Sequence, residues 1–324
     1  MNKLRRFAKC SLILMVAGCS IAMADSYPTK PISLVVPVAP GGGTDFTARL
    51  LADEMSKQLG QAVVVENQPG GAGNVGVNHT AKAKPDGYTL VMPITSFPIN
   101  ATLYKKLPFD TRKDLTPVAL AATLPLVLVI NPKVPAQSLQ ELIALAKKKP
   151  GTINFANSGV GTTAHLAGEL FKRSAQVNIV SVAYKGGGPA VSDLLGGHVE
   201  MYFSTPSAVI PLVQAGKLRA LAVTSKGRLA ELPNVPTLVE SGFPDLHVTA
   251  WFGIFAPAGT PAPIISRLNQ VSNKVLQQEK VRQQMAQHSF NAEGTMSPKE
   301  LGVFLNTEID RWGAVIKDLN LTVD

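Results

Sequence analysis

Two short stretches combine residue types suited to holding an anion: Pro40-Gly41-Gly42-Gly43-Thr44-Asp45 and Ser158-Gly159-Val160-Gly161-Thr162-Thr163. Each lies between an apolar, strand-like run and a helix-like one, 32–38 and 46–51 around the first, 153–156 and 164–170 around the second. A glycine-rich turn from strand to helix leaves backbone N–H groups unpaired and points them at one spot, together with the positive end of the helix dipole. The hydroxyls of Thr44, Ser158, Thr162 and Thr163 add donors beside those groups, a set that suits a carboxylate. For Asp45 two readings stay open. It caps its helix, or it faces the cleft, where it would repel a second carboxylate and favour a ligand amine.

Further candidates lie at the carboxyl ends of strands, where open α/β sheets place their ligands. Ser96 and Phe97 follow the third strand as cleft walls; Tyr184 and Lys185 follow the strand at 178–183, with Lys185 as the cation nearest the ligand. His165 reads as a packing residue, Asp193 as a brace for the Gly196-Gly197 turn, and Trp251 and Trp312 as core. Two glycine patterns, at 71–76 and 159–164, imitate a dinucleotide fingerprint. Both lack the acidic residue it needs about 20 positions on, since 87–109 and 170–192 contain no Asp or Glu. The histidines at 79, 165, 198, 247 and 288 have no metal-ligand spacing, and no Gly-x-Ser-x-Gly elbow occurs. No catalytic residue, metal or cofactor is therefore expected.

The elements that must position these loops alternate strand with helix, which implies α/β architecture with a mostly parallel sheet in each lobe. Strand 32–38 leads to helix 44–58, where Ala48, Leu51, Met55 and Leu59 recur at helical spacing and Gly60 ends it. Strands at 62–66 and 88–92 follow, around a Gly-rich segment and a short helix. The second part opens on strand 125–130, and a Ser138/Glu141 capping box starts helix 139–149. Strands at 153–156, 178–183, 199–203 and 218–224 then alternate with helices at 163–173, 189–196 and 206–215. Ser297-Pro298-Lys299-Glu300 caps a terminal helix. Runs near 126–130 and 250–256 are the expected crossings between lobes, giving 25–125 with 255–324 as one lobe and 126–254 as the other.

Residues 1–24 read as an export leader: a basic start, an apolar run and Ala22-Met23-Ala24 as cleavage site, with a lipid on Cys19 as the lesser alternative. Both cysteines lie in that leader, so the expected product has no disulfide and no thiol nucleophile. Four of the 31 Lys and Arg also lie there; the remaining 27 face 22 acidic residues, a net of +5. This mild charge, without long basic runs, excludes nucleic acid as a partner.

Eight motifs in order then resemble one family. They are Pro-Gly-Gly-Gly-Thr-Asp (40–45), Leu-Gly-Gln-Ala-Val-Val-Val-Glu-Asn (59–67), Pro-Asp-Gly-Tyr-Thr-Leu (85–90), Leu-Tyr-Lys-Lys-Leu-Pro-Phe-Asp (103–110), Tyr-Lys-Gly (184–186), Asp-Leu-Leu-Gly-Gly (193–197), Gly-Lys-Leu-Arg-Ala-Leu-Ala-Val-Thr (216–224) and Ala-Pro-Ala-Gly-Thr-Pro (256–261). Together they resemble the Bug-type substrate-binding proteins of tripartite tricarboxylate transporters, over essentially the whole mature chain. The resemblance implies a two-lobed, type II-like Venus-flytrap fold with two crossing hinge strands. It also implies a monomer that captures a small carboxylate in the periplasm and delivers it to a membrane permease, without catalysis. Carried over residue by residue, the ligand loops are Gly42, Gly43, Thr44 and Asp45 on one lobe, and Ser158, Gly159, Gly161, Thr162 and Thr163 on the other. The chain departs from the family at Gln68, where Arg is usual. A membrane sensor kinase as the partner, in place of a permease, is the alternative.

Overall fold

The computed structural model describes residues 27–323 other than 245 and 247, so the leader, Cys10, Cys19 and His247 lie outside the described residues. Its first unit starts with β1 (Ile32–Val36), α1 (Gly43–Leu59), β2 (Val63–Asn67), α2 (Asn74–Ala81) and β3 (Thr89–Val91). Gly60 ends α1 in the left-handed conformation, its N–H returning to the Ser56 carbonyl, as the sequence predicts. Next come α3 (Ser96–Leu103) and the long β4 (Leu115–Pro125). One residue later the chain enters a second sheet through β5 (Val127–Ile130).

The second unit runs α4 (Leu139–Lys148), β6 (Asn154–Asn157), α5 (Thr163–Ser174), β7 (Val180–Ala183), α6 (Gly187–Gly196), β8 (Met201–Ser204), α7 (Pro206–Gln214) and β9 (Arg219–Val223). Ser138 caps α4 as expected, but the Glu141 carboxylate takes the N–H of Gln137 at 2.7 Å. The full capping box forms instead at Ser297 and Glu300, ahead of α10 (Pro298–Asp318). Between β9 and α10 lie β10 (Thr249–Pro257), α8 (Ala262–Leu276), α9 (Glu279–Gln287) and β11 (Asn291–Ala292).

Two lobes result, each an α/β layer structure, with strand orders β11-β4-β10-β3-β1-β2 and β7-β6-β8-β5-β9. β1 pairs in parallel with β2 and β3, and β6 in parallel with β7 and β8. The sheets are mixed because β10, next to the β4 crossing, runs antiparallel to β3 and β4, and β5 runs antiparallel to β8 and β9. β10 pairs with β4 over its whole length from Thr249 to Pro257, so a lobe boundary at 254/255 would cut through a strand of the first sheet. The chain returns to the first lobe upstream, between β9 and Thr249.

Both faces of each sheet are covered, which explains the near-continuous apolar strands. In β1, Leu34 and Val36 join Ala48, Leu51 and Met55 of α1, while Val35 packs with Phe97, Trp251 and Phe255 on the opposite face. In β5, Leu128 and Ile130 take one face and Val127 and Val129 the other. Two elements fall where the sequence reading placed none. β4 carries Val118-Ala119-Leu120-Ala121-Ala122, a run of helix formers, yet sits between β10 and β11 in the sheet, where ladder hydrogen bonds override propensity. α3 shows no amphipathic stripe because it is buried on most sides, between both lobes and α10.

Candidate functional site

Between the lobes lies a cavity of about 290 Å³. Four helix starts open onto it. Gly43 and Thr44 begin α1, Thr95 and Ser96 begin α3, Thr162 and Thr163 begin α5, and Thr205 and Ser207 begin α7. The first N–H groups of a helix have no partner one turn earlier, so each start offers donors and a partial positive charge. Among the described residues, no side chain that lines the cavity is charged at neutral pH.

The first loop is held from behind by Asp45. Its carboxylate accepts the Gly41 N–H at 3.0 Å, Arg49 Nε at 3.0 Å and Asn67 Nδ2 at 2.9 Å. Burial alone would raise the Asp45 pKa; these three hydrogen bonds and the Arg49 charge overcome it and pull it down to about 2. Asp45 is thus a brace with its charge consumed, and it does not line the cavity. Gly42 is the N-cap residue, and Gly43 lacks a side chain where the Phe290 ring closes on the loop.

The second loop is braced in the same manner by His165. The Gly161 N–H donates to His165 Nδ1 at 3.3 Å, while the His165 N–H donates to Thr162 Oγ1 at 3.3 Å. Asn157 Oδ1 accepts the Gly159 N–H at 2.9 Å, and Thr162 Oγ1 donates to the Gly159 carbonyl at 2.7 Å. Desolvation lowers the His165 pKa, so the ring is held neutral with Nδ1 as acceptor. Gly161 has φ 78° and faces Leu103 of α3 with no room for a Cβ, which ties this loop to the first lobe's helix.

Two of the wall hydroxyls are held by the first lobe. Thr95 Oγ1 accepts the Trp251 N–H at 2.8 Å, and Ser96 Oγ donates to the Ala72 carbonyl at 2.8 Å. Burial raises the Tyr202 phenol, against hydrogen bonds with Ser158 and Ser204. The floor is apolar: Leu124, Leu126, Ala250 and Phe252 come from the strands and joint where the lobes meet, with Phe290 and Phe203 beside them.

Of the sequence-predicted site residues, Gly43, Thr44, Ser96, Ser158, Thr162 and Thr163 line the cavity. Gly42, Asp45, Gly159 and Gly161 shape the loops without lining it. Phe97 belongs to the core, 2% exposed and packed on Phe109 and Phe255. Tyr184 and Lys185 lie off the cavity because β7 is the sheet's edge strand. The Tyr184 hydroxyl donates to Asp193 at 2.8 Å, its pKa pushed up to about 12 by burial and that bond, and Lys185 is exposed. Gln68 does not line the cavity either. Sequence reasoning missed Thr205 and Ser207, although strand–Thr205–Pro206 carried the same strand-to-helix signal. It also missed Phe252, Tyr202 and Phe290, for which no local signal exists.

A family model described as "Tripartite tricarboxylate transporter family receptor" matches residues 47–321. Protein BugT of Bordetella pertussis is 40% identical over 325 residues, 98% of each chain. The solved structure of the periplasmic binding protein BugD superposes with a TM-score of 0.79 at 33% identity, covering 91% of this chain and 99% of that one. An R. palustris protein solved with adipate gives a TM-score of 0.81 at 34% identity, over 91% and 99% of the two chains. A two-lobed receptor cleft with no enzyme chemistry accords with these likenesses: the chain is a solute-binding protein and belongs to the tripartite tricarboxylate transporter receptor family.

Proposed function

We propose that the cleft captures a small organic carboxylate in the periplasm and presents it to membrane permease subunits of the transporter. One observation carries the reading: helix starts from both lobes converge on one cavity that no charged side chain lines. Each start favours an anion by about 0.3–1 kcal/mol, so four together, with their N–H donors, can hold a carboxylate without a salt bridge. Gly43 and Thr44 on one side, and Ser158, Thr162 and Thr163 on the other, would close around its oxygens. Asp45 and His165 keep the two loops in shape for it. The likeness to BugD and to the adipate-bound protein supports the same reading.

A thermal-shift screen of the purified protein against carboxylic acids and their amides tests it. A ligand at 100 times its Kd adds about 2.7 kcal/mol of stability, a readily measured rise in Tm. At least one acid should raise Tm while its amide does not, and a Thr44→Ala/Ser158→Ala double variant should lose most of the shift. Equal shifts from acid and amide would overturn the carboxylate reading.

A further inference from the structure

One contact between the lobes falls on a ligand loop itself. We infer that Leu103, which does not line the cavity, is a positioning residue for the second lobe's loop. It is carried by α3 of the first lobe as a fixed stop, against which the Ser158–Thr163 loop is set before any ligand arrives. Such a stop would serve any ligand of the cleft, so it stands apart from the carboxylate reading.

The fit leaves no slack. A Cβ built on Gly161 would lie 2.3 Å from Leu103 Cδ2 and 3.9 Å from Ile99 Cγ2, so only a glycine lets the loop backbone come down on this helix. Leu103 and Ile99 are fully buried in the second lobe's core with Leu166 of α5, although α3 starts in the wall of the cleft at Thr95 and Ser96.

The helix that carries the stop is held at both ends and along its side. At its start, Thr95 Oγ1 accepts the Trp251 N–H and Ser96 Oγ donates to the Ala72 carbonyl, both at 2.8 Å. Along its side, Gly313 of α10 leaves room for Thr102, whose Oγ1 would stand 2.9 Å from a Cβ there. At its end, the Leu103 carbonyl accepts the Val323 N–H at 2.8 Å. Close-packed side chains resist compression, and α3 has nowhere to retreat, so the loop takes its place from Leu103.

The loop's own bonds are local. The Gly159 N–H donates to Asn157 Oδ1, that of Gly161 to His165 Nδ1, and that of Thr162 to the Gly159 carbonyl at 3.2 Å. These fix the shape of the loop but not its distance from the first lobe. Leu103 supplies that distance, and so sets where Thr162 and Thr163 stand relative to Thr95 and Ser96 in one cavity. Donors placed before binding spare a ligand the cost of ordering them.

Hydrogen exchange of the ligand-free protein at neutral pH, read at the amides of Gly159, Gly161 and Thr162, tests this. Leu103→Ala should speed their exchange about tenfold or more, because they open locally once the stop is gone. Leu142→Ala, the same truncation in the same core but from α4, should leave them within about twofold of wild type. Equal acceleration by both would make Leu103 ordinary core and overturn the proposal. Leu103→Val and Leu142→Val carry the same comparison if an alanine variant does not fold. Gly161→Ala separates contact from backbone strain: its φ of 78° penalises the methyl in either background, but only removal of Leu103 makes room for it. The Gly161→Ala/Leu103→Ala double variant should therefore exchange more slowly than Gly161→Ala alone. Accelerations that simply multiply would also overturn the proposal.

Discussion

Asp45 and His165 play the same part on opposite lobes, and neither lines the cavity. Each stands in the first turns of the helix that follows a ligand loop, and each accepts an N–H from a loop glycine four residues earlier, Gly41 or Gly161. Of the two roles open for Asp45 in the sequence, helix cap or cleft-facing group, the structure shows no side-chain cap on α1, whose N-cap is Gly42, and its carboxylate instead accepts three donors and has little acceptor capacity to spare. For His165 the chemistry has a pH signature. Its pKa is depressed below 6.5 by burial, so the native ring stays neutral while the unfolded chain takes up a proton. Stability contributed by the neutral ring is therefore full above the unfolded pKa and falls as pH drops below about 6.5. His165→Leu, which leaves the Gly161 N–H without its acceptor, should cost about 1–3 kcal/mol at pH 7. Urea denaturation at pH 7 and pH 5 should show the gap between wild type and variant narrowing at pH 5. A gap that stays constant would rule out the brace.

At the scale of elements, the joint between lobes hangs on one hydroxyl. Thr224, 1% exposed, follows β9; its Oγ1 accepts the Leu126 N–H at 2.7 Å and donates to the Val248 carbonyl. Its own N–H donates to the Leu126 carbonyl at 2.9 Å. Both crossings are thereby stapled to each other beside the apolar floor. Thr224→Val keeps the shape but leaves two buried polar groups unpaired, and should lower stability by about 2–3 kcal/mol, whereas Thr224→Ser should restore most of it. Equal denaturation midpoints for the Val and Ser variants would show that packing, not hydrogen bonding, holds the joint. The sequence expects crossings at its apolar runs near 126–130 and 250–256, but it could not show that β10 belongs wholly to the first sheet. That assignment depends on its pairing with β4, a partner about 130 residues away, which no local pattern encodes.

For the whole molecule, two helices limit how far the lobes can part. α10 packs Leu301, Leu305 and Ile309 into the first lobe's core and Trp312 and Ile316 into the second lobe's. Buried Glu308 joins the two regions, its Oε2 accepting Trp251 Nε1 at 3.2 Å and Trp312 Nε1 at 3.0 Å. An ion pair between Arg173 of α5 and Asp318 fastens the far end of α10. α3 adds Ile99 and Leu103 to the second core and Phe97 to the first. Closure on ligand should therefore be a modest rotation about the joint, driven only by the ligand's preference for the closed form. Small-angle scattering with and without a saturating ligand should show a small decrease in radius of gyration. Unchanged curves would mean that the cleft is closed before ligand arrives.

The amino-acid sequence by itself determined the local units: strand, glycine loop and capped helix, repeated through both lobes. Those depend on backbone conformation and caps within a few residues, such as Gly60 ending α1 and Ser297 with Glu300 opening α10. It also identified which loops could offer N–H groups, and six of its candidate residues do line one cavity. Only the tertiary structure decided what those loops face. The floor and aromatic wall gather Leu124, Leu126, Phe252 and Phe290 from distant segments, and the same packing turns Asp45 away and leaves Tyr184 and Lys185 at a sheet edge. Donors are a local property of helix starts, whereas the apolar floor they face arises only when remote segments bury against each other.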